Sequence, residues 1–197
     1  MAKGAKVFLG HRSKNVEDVD IVVYTVAVGD DNPELVRARE LGIPTITRAQ
    51  ALGALMREYE KSIAISGTHG KTTTTSMISL ILKDSDREPT ILVGGNLDEI
   101  GGNCYVGGRE YFVTEACEYR DSFLELQPNI EIILNIDSDH LDYFENVEHI
   151  ARSFEKFSRL VPENGVVIAY DANPFVRSII EGLPNAITFG LSGDNDY

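Results

Sequence analysis

The stretch Ile63-Ala64-Ile65-Ser66-Gly67-Thr68-His69-Gly70-Lys71-Thr72-Thr73-Thr74-Thr75 constrains this chain more than any other. Its apolar, partly β-branched start reads as a buried strand, two glycines bracket a tight turn, and residues 71–82 read as a helix. Strand, glycine loop and helix, with Lys-Thr directly after the second glycine, is the order of a phosphate-binding loop. Side chains in place of the glycines would keep the backbone away from a phosphate. The helix behind them presents unpaired N–H groups at the positive end of its dipole. In this register Lys71 reaches the β- and γ-phosphates and the Thr72 hydroxyl meets a magnesium ion. The general motif has a further glycine where Ile65 stands, so this is the shorter G-T-x-G-K-T form.

The block from Gly67 to Thr74 resembles the ATP-binding loop of the Mur ligases, and His69 resembles the branch that joins L-alanine to UDP-N-acetylmuramate. The resemblance implies ATP and Mg2+ as cofactors and UDP-N-acetylmuramate and L-alanine as small-molecule substrates. It makes Gly67, Thr68, His69, Gly70, Lys71, Thr72 and Thr73 the nucleotide cradle.

Two more clusters follow the loop. Tyr111-Phe112-Val113-Thr114-Glu115 is an apolar strand ending in a carboxylate, the arrangement by which P-loop enzymes bring an acid to the metal edge of a nucleotide. Glu118 competes for that role on charge but lies past the strand end, and reads as a helix cap or surface acid. Cys117 has no base placed beside it by any motif and reads as a small packed residue. Further on, residues 130–134 form a strand that delivers Asn135, Asp137, Asp139, His140 and Asp142 at its carboxyl end, where open α/β sheets bind ligands. By the resemblance, Thr72 and Glu115 hold one magnesium ion and His140 a second, and Lys71, Glu115 and His140 are the catalytic residues. Lys156 falls near a lysine that several relatives carbamylate, but reads as an exposed helix lysine.

The surroundings suit an α/β fold. Ala5–Leu9, Val19–Thr25 and Ile43–Ile46 read as strands, with helices over 32–41 and 48–59. After the loop, 91–93 reads as a strand, 96–108 as loop, 146–160 as an amphipathic helix, 165–170 as a strand, 174–181 as a helix and 186–189 as a last strand. Met77, Ile78, Ile81 and Leu82 make the helix after the phosphate loop look largely buried, and Gly94-Gly95 reads as a turn. The expectation is a parallel-sheet, three-layer P-loop ATPase domain over 58–197, preceded by a partial Rossmann-like domain over 1–57. The resemblance makes the first the opening part of the central ATP-binding domain and the second the latter half of a UDP-sugar-binding domain. There, residues 25–28 and Arg48 lie toward the sugar nucleotide. On that reading the chain corresponds to less than half of a ligase and is inactive alone.

Composition narrows the partners. With 43% apolar residues the 197-residue chain can build a core, and a net charge of −13 argues against nucleic acid or an anionic membrane. No apolar run approaches a membrane helix, the first 20 residues are rich in charge, and Cys104 and Cys117 lack metal or disulfide spacing. These features suggest the cytoplasm. The implied reaction is ATP-driven amide formation through an acyl phosphate. A murein-peptide recycling ligase, a folylpolyglutamate synthase-like ligase and a catalytically dead nucleotide-binding remnant are the alternatives.

Overall fold

The computed structural model describes residues 4–191 and 193–197. The chain divides into two compact units, Met1–Leu52 and Gly53–Tyr197.

In the first unit, β1 (Val22–Tyr24) pairs in parallel with β2 (Thr45–Thr47), and α1 (Pro33–Leu41) makes the crossover. The helix starts where the Asn32 side chain accepts the Glu34 N–H and Pro33 presets the first turn, and it stops at Gly42, whose φ is 68°. Leu35 and Ala38 are buried on its inner side, where it packs on a 3-10 turn over Ser13–Val16. Residues 5–9, expected as a strand, are irregular, and Val7, Phe8 and Leu9 are exposed. Apolar content alone makes no strand without a neighbour to complete the ladder. The helix α2 (Arg48–Met56) begins in this unit and ends in the next. Arg48 is exposed at its start.

The second unit is a seven-stranded sheet in the order β5-β4-β6-β3-β7-β8-β9. Its strands are β3 (Lys61–Ser66), β4 (Thr90–Leu97), β5 (Gly102–Tyr105), β6 (Tyr111–Glu115), β7 (Ile130–Ile133), β8 (Val166–Tyr170) and β9 (Ala186–Phe189). All neighbours are parallel except β5 on β4. That edge strand lies in the segment read from sequence as loop. Gly102, Asn103 and Cys104 carry no local strand signal, and only pairing with β4, Gly102 opposite Leu97 and Cys104 opposite Leu92, makes them extended. Five residues of β3, Ser62–Ser66, are buried, as expected of a central parallel strand covered on both faces.

From β3 the chain runs through α3 (Lys71–Asp84) to β4 on one side, and from β7 through α4 (Val147–Ser158) and α5 (Pro174–Ile180) to β8 and β9 on the other. Right-handed crossovers running in opposite directions put α3 on one face and α4 and α5 on the other, which makes three layers. Ile63, Ile65 and Val113 form the sheet core, with Ile78, Leu82, Tyr111, Ile130, Ile132 and Leu134 packed around them. Contrary to the sequence reading, α3 is not largely buried: Met77 and Ile81 are 59% and 62% exposed, while Thr75 and Ser79 face inward. On α4 the expected stripe holds, with Ile150, Phe154 and Phe157 buried.

Candidate active site

The chain leaves β3 for β4 on one side and its neighbour β7 for β8 on the other, so a crevice opens beyond the carboxyl ends of these two strands. The glycine loop lies there. Gly70 caps α3 without any side-chain hydrogen bond, so the first-turn N–H groups are left to an outside acceptor. The loop is held by the chain that continues β7. The Thr68 N–H donates to the Asn135 carbonyl (3.0 Å), and the Asp137 N–H donates to Thr68 Oγ1 (2.9 Å). The Asn135 side chain grips the His69 backbone twice, accepting its N–H at 2.8 Å and donating to its carbonyl at 3.0 Å. Gly67 has φ 138°, and a Cβ there would stand 3.0 Å from that of Leu134, so only glycine lets the loop lie this close to β7.

Lys71 points back into the loop. Its Nζ donates to the carbonyls of Gly67 (2.5 Å) and Thr68 (3.2 Å) and to both carboxylate oxygens of Glu118 (2.9 and 3.1 Å). Glu118 is thus not a surface acid, and although it stands at the N-cap position of the following turn its side chain caps nothing: that side chain is 2% exposed and that of Lys71 is 16% exposed. A tight turn over Tyr119–Glu125 puts it there, with Arg120 and Asp121 both at positive φ. The turn is held by Phe123, which stacks on Phe157 (4.6 Å) and meets Phe154 edge-on (5.2 Å). Asp121 also accepts hydrogen bonds from Ser153 and from Tyr143 Oη.

His140 completes the group. Its Nε2 lies 3.8 Å from Glu118 Oε1, its ring is 4.7 Å from that of Tyr119, and its backbone is left-handed at φ 51°. Glu118, Asp139 and His140 each bring one ligand atom to within 4.8 Å of the others. On the other side of the loop, Glu115 sits at the end of β6 in register with Ile65 and accepts the Gly94 N–H at 2.6 Å. A Cβ on Gly94 would stand 2.8 Å from that carboxylate, and one on Gly95 3.3 Å from the Thr72 methyl. Glu115 and Thr72 therefore border adjacent glycines, Gly94 and Gly95 in turn.

The residues named from sequence gather at one end of the sheet: Gly67 to Thr73 in the loop and first turn, Glu115 on one flank, and His140 on the other, within reach of Lys71 through Glu118. The donor set is hydroxyl, carboxylate and imidazole, and its oxygens suit a hard divalent cation. The sequence reading weighed Glu118 and set it aside, and it missed the packing role of Gly94 and Gly95 and the clamp formed by Asn135. Only the clamp had a sequence signal, a polar residue at the carboxyl end of a central strand. Cys117 is exposed, and its thiol pKa is raised, by local desolvation first, the opposite of what a nucleophile needs. Lys156 is exposed on α4.

Residues 65–197 match the Mur ligase middle domain and residues 1–60 match the Mur ligase family catalytic domain. The chain is 56% identical over 194 residues to a UDP-N-acetylmuramate–L-alanine ligase of Acetivibrio thermocellus, covering 98% of this chain and 41% of that protein. It is 53% identical to the ligase of the same name from Alkaliphilus metalliredigens, covering 98% and 42%. Among solved structures, the UDP-N-acetylmuramate-alanine ligase of Thermotoga maritima superposes with a TM-score of 0.82 at 35% identity, over 96% of this chain and 43% of that one. The chain thus spans about two-fifths of the length of the curated relatives it matches.

Proposed function

This chain belongs to the Mur ligase family, and from that premise we propose that it carries the phosphoryl-transfer half of an ATP-dependent ligase that joins L-alanine to UDP-N-acetylmuramate. The similarity that favours this branch is the 56% and 53% identity to ligases named for that reaction. Residues 58–197 are the first part of the ATP-binding domain, and 1–57 the latter part of a UDP-sugar-binding domain. The address is the cytoplasm, where such precursors are made, and among the described residues no helix is long and apolar enough to cross a membrane.

The single observation that carries the reading is the convergence of Lys71, Glu118 and His140 on a phosphate loop whose helix has no side-chain cap. The cradle for the ATP phosphates is Gly67, Thr68, His69, Gly70, Lys71, Thr72 and Thr73: the N–H groups at the start of α3 face the phosphates, while Thr68 and His69, whose own N–H groups are taken by Asn135, fix the shape of the loop. Lys71 follows the β- and γ-phosphates and the phosphoryl group in transfer. Thr72 and Glu115 would hold one magnesium ion and His140 a second, and cations bound there would supply neutralising charge for the phosphates and the substrate carboxylate.

The chemistry that follows needs two anions to meet. A carboxylate oxygen of UDP-N-acetylmuramate attacks the γ-phosphorus, the bond to the β–γ bridging oxygen breaks, and ADP leaves. The alanine nitrogen then attacks the acyl phosphate carbon, phosphate departs, and the amine proton passes to solvent. What this chain contributes is positioning and fixed positive charge: the ammonium of Lys71 and N–H dipoles that need not reorganise as charge shifts.

The test is phosphate release by the natural-length protein that carries this chain, with ATP and Mg2+. The proposal expects release that depends on UDP-N-acetylmuramate and L-alanine together. Release that needs a different acid or amine, such as a murein peptide, would assign the chain to another branch, and no release would leave a nucleotide-binding remnant.

A further inference from the structure

Lys71 is committed in this structure. An ammonium has three protons to give, and Nζ lies within bonding distance of four oxygens: two loop carbonyls and both oxygens of Glu118. A triphosphate that contacts Lys71 must take protons from these partners. The carbonyls can turn to other donors at small cost. Glu118 cannot turn to water, because its side chain is 2% exposed, and a buried carboxylate stripped of its partner is strongly unfavourable.

Another partner is at hand. His140 Nε2 stands 3.8 Å from Glu118 Oε1, and Asp139 joins the two in a cluster with metal-ligand spacing. The backbone cannot carry Glu118 away, because the Asp121 N–H donates to its carbonyl (2.9 Å) and Phe123 anchors the following turn beneath α4. Only the side chain is free to redirect its charge.

Resting on the nucleotide reading above, we propose that Glu118 is an exchangeable counter-ion. It holds Lys71 against the loop until a nucleoside triphosphate takes the ammonium, and its charge then turns to the divalent cation at His140. The consequence is selectivity. A fixed carboxylate beside the phosphates repels a bare triphosphate, and a cation at His140 compensates it. Glu118 is thus a positioning residue that makes the loop prefer metal-loaded ATP over free ATP.

Titration calorimetry with ATP in excess EDTA and with ATP plus Mg2+ reads this preference directly. In Glu118→Gln, which keeps the shape and drops the charge, the affinity for free ATP should rise about tenfold, the worth of one screened charge contact. The affinity for metal-loaded ATP should change less, so the ratio between the two narrows. Glu118→Asp keeps the charge and should keep the wild-type ratio. A purely structural role for Glu118 would weaken both forms alike. That result, or an Asp variant that narrows the ratio as much as Gln, would overturn the exchange while leaving the nucleotide site in place. A wild-type chain that binds neither form would remove the nucleotide reading, and the exchange with it.

Discussion

Glu131 lies at the middle of β7 with no surface exposed, among the hydroxyls of Ser66, 3.1 Å away, and Ser158. Burial is the dominant influence, and it pushes the carboxyl pKa up to about 8 from an ordinary value of 4.5. The folded pKa is above the unfolded one, so the neutral acid stabilises the fold fully below about pH 4.5, and that contribution is lost as pH rises through about 8. Glu131→Gln should therefore gain on wild type steadily from pH 5 to pH 8, by an amount on the order of 4 kcal/mol in urea unfolding. Parallel pH profiles for the two proteins would mean the carboxyl is already ionised in the folded chain. Glu118 is the contrasting case. It is equally buried, but it faces an ammonium 2.9 Å away. The two acids differ in their partners, and the sequence around them says nothing of this.

The phosphate loop and the extension of β7 form one element pair. Three backbone groups of the loop, the Thr68 N–H and the His69 N–H and carbonyl, bond to Asn135, so the loop is preset before any ligand arrives. Asn135→Ala removes the two side-chain bonds, each worth about 1 kcal/mol, from a loop at the surface. Nucleotide affinity should fall roughly 30-fold in calorimetry with only a small drop in melting temperature. An unchanged affinity would show that the loop needs no clamp. Elements whose signal is local were legible in the sequence. Strand β3, the glycine loop and α3 follow from consecutive residues, and the α4 stripe from helical spacing. Elements defined by a distant partner were not. Strand β5 exists because β4 lies beside it, and the burial of Glu118 depends on the turn that Phe123 pins under α4. The face of α3 was misread for the same reason: Ile78 and Leu82 meet the sheet while Met77 and Ile81 do not, and the pattern fitted both.

At the scale of the molecule, the proposed function asks a chain of net charge −13 to hold a polyanion at one end of its sheet. Long-range attraction cannot bring it there, so on the proposed reading the binding energy comes from groups within a few ångströms: the N–H groups at the start of α3, the Lys71 ammonium, and the cations that Thr72, Glu115 and His140 would hold. Isothermal titration of this chain with magnesium and ATP, beside the variant Lys71→Met/Glu118→Gln, measures that most directly. The paired change removes the ammonium without leaving Glu118 as an unpaired buried charge, so lost binding cannot be blamed on lost folding. The account predicts a single site on the wild-type chain with micromolar affinity and at least a hundredfold weaker binding, about 2.7 kcal/mol, in the variant. Equal affinities in the two proteins, or no heat from the wild-type chain, would contradict it.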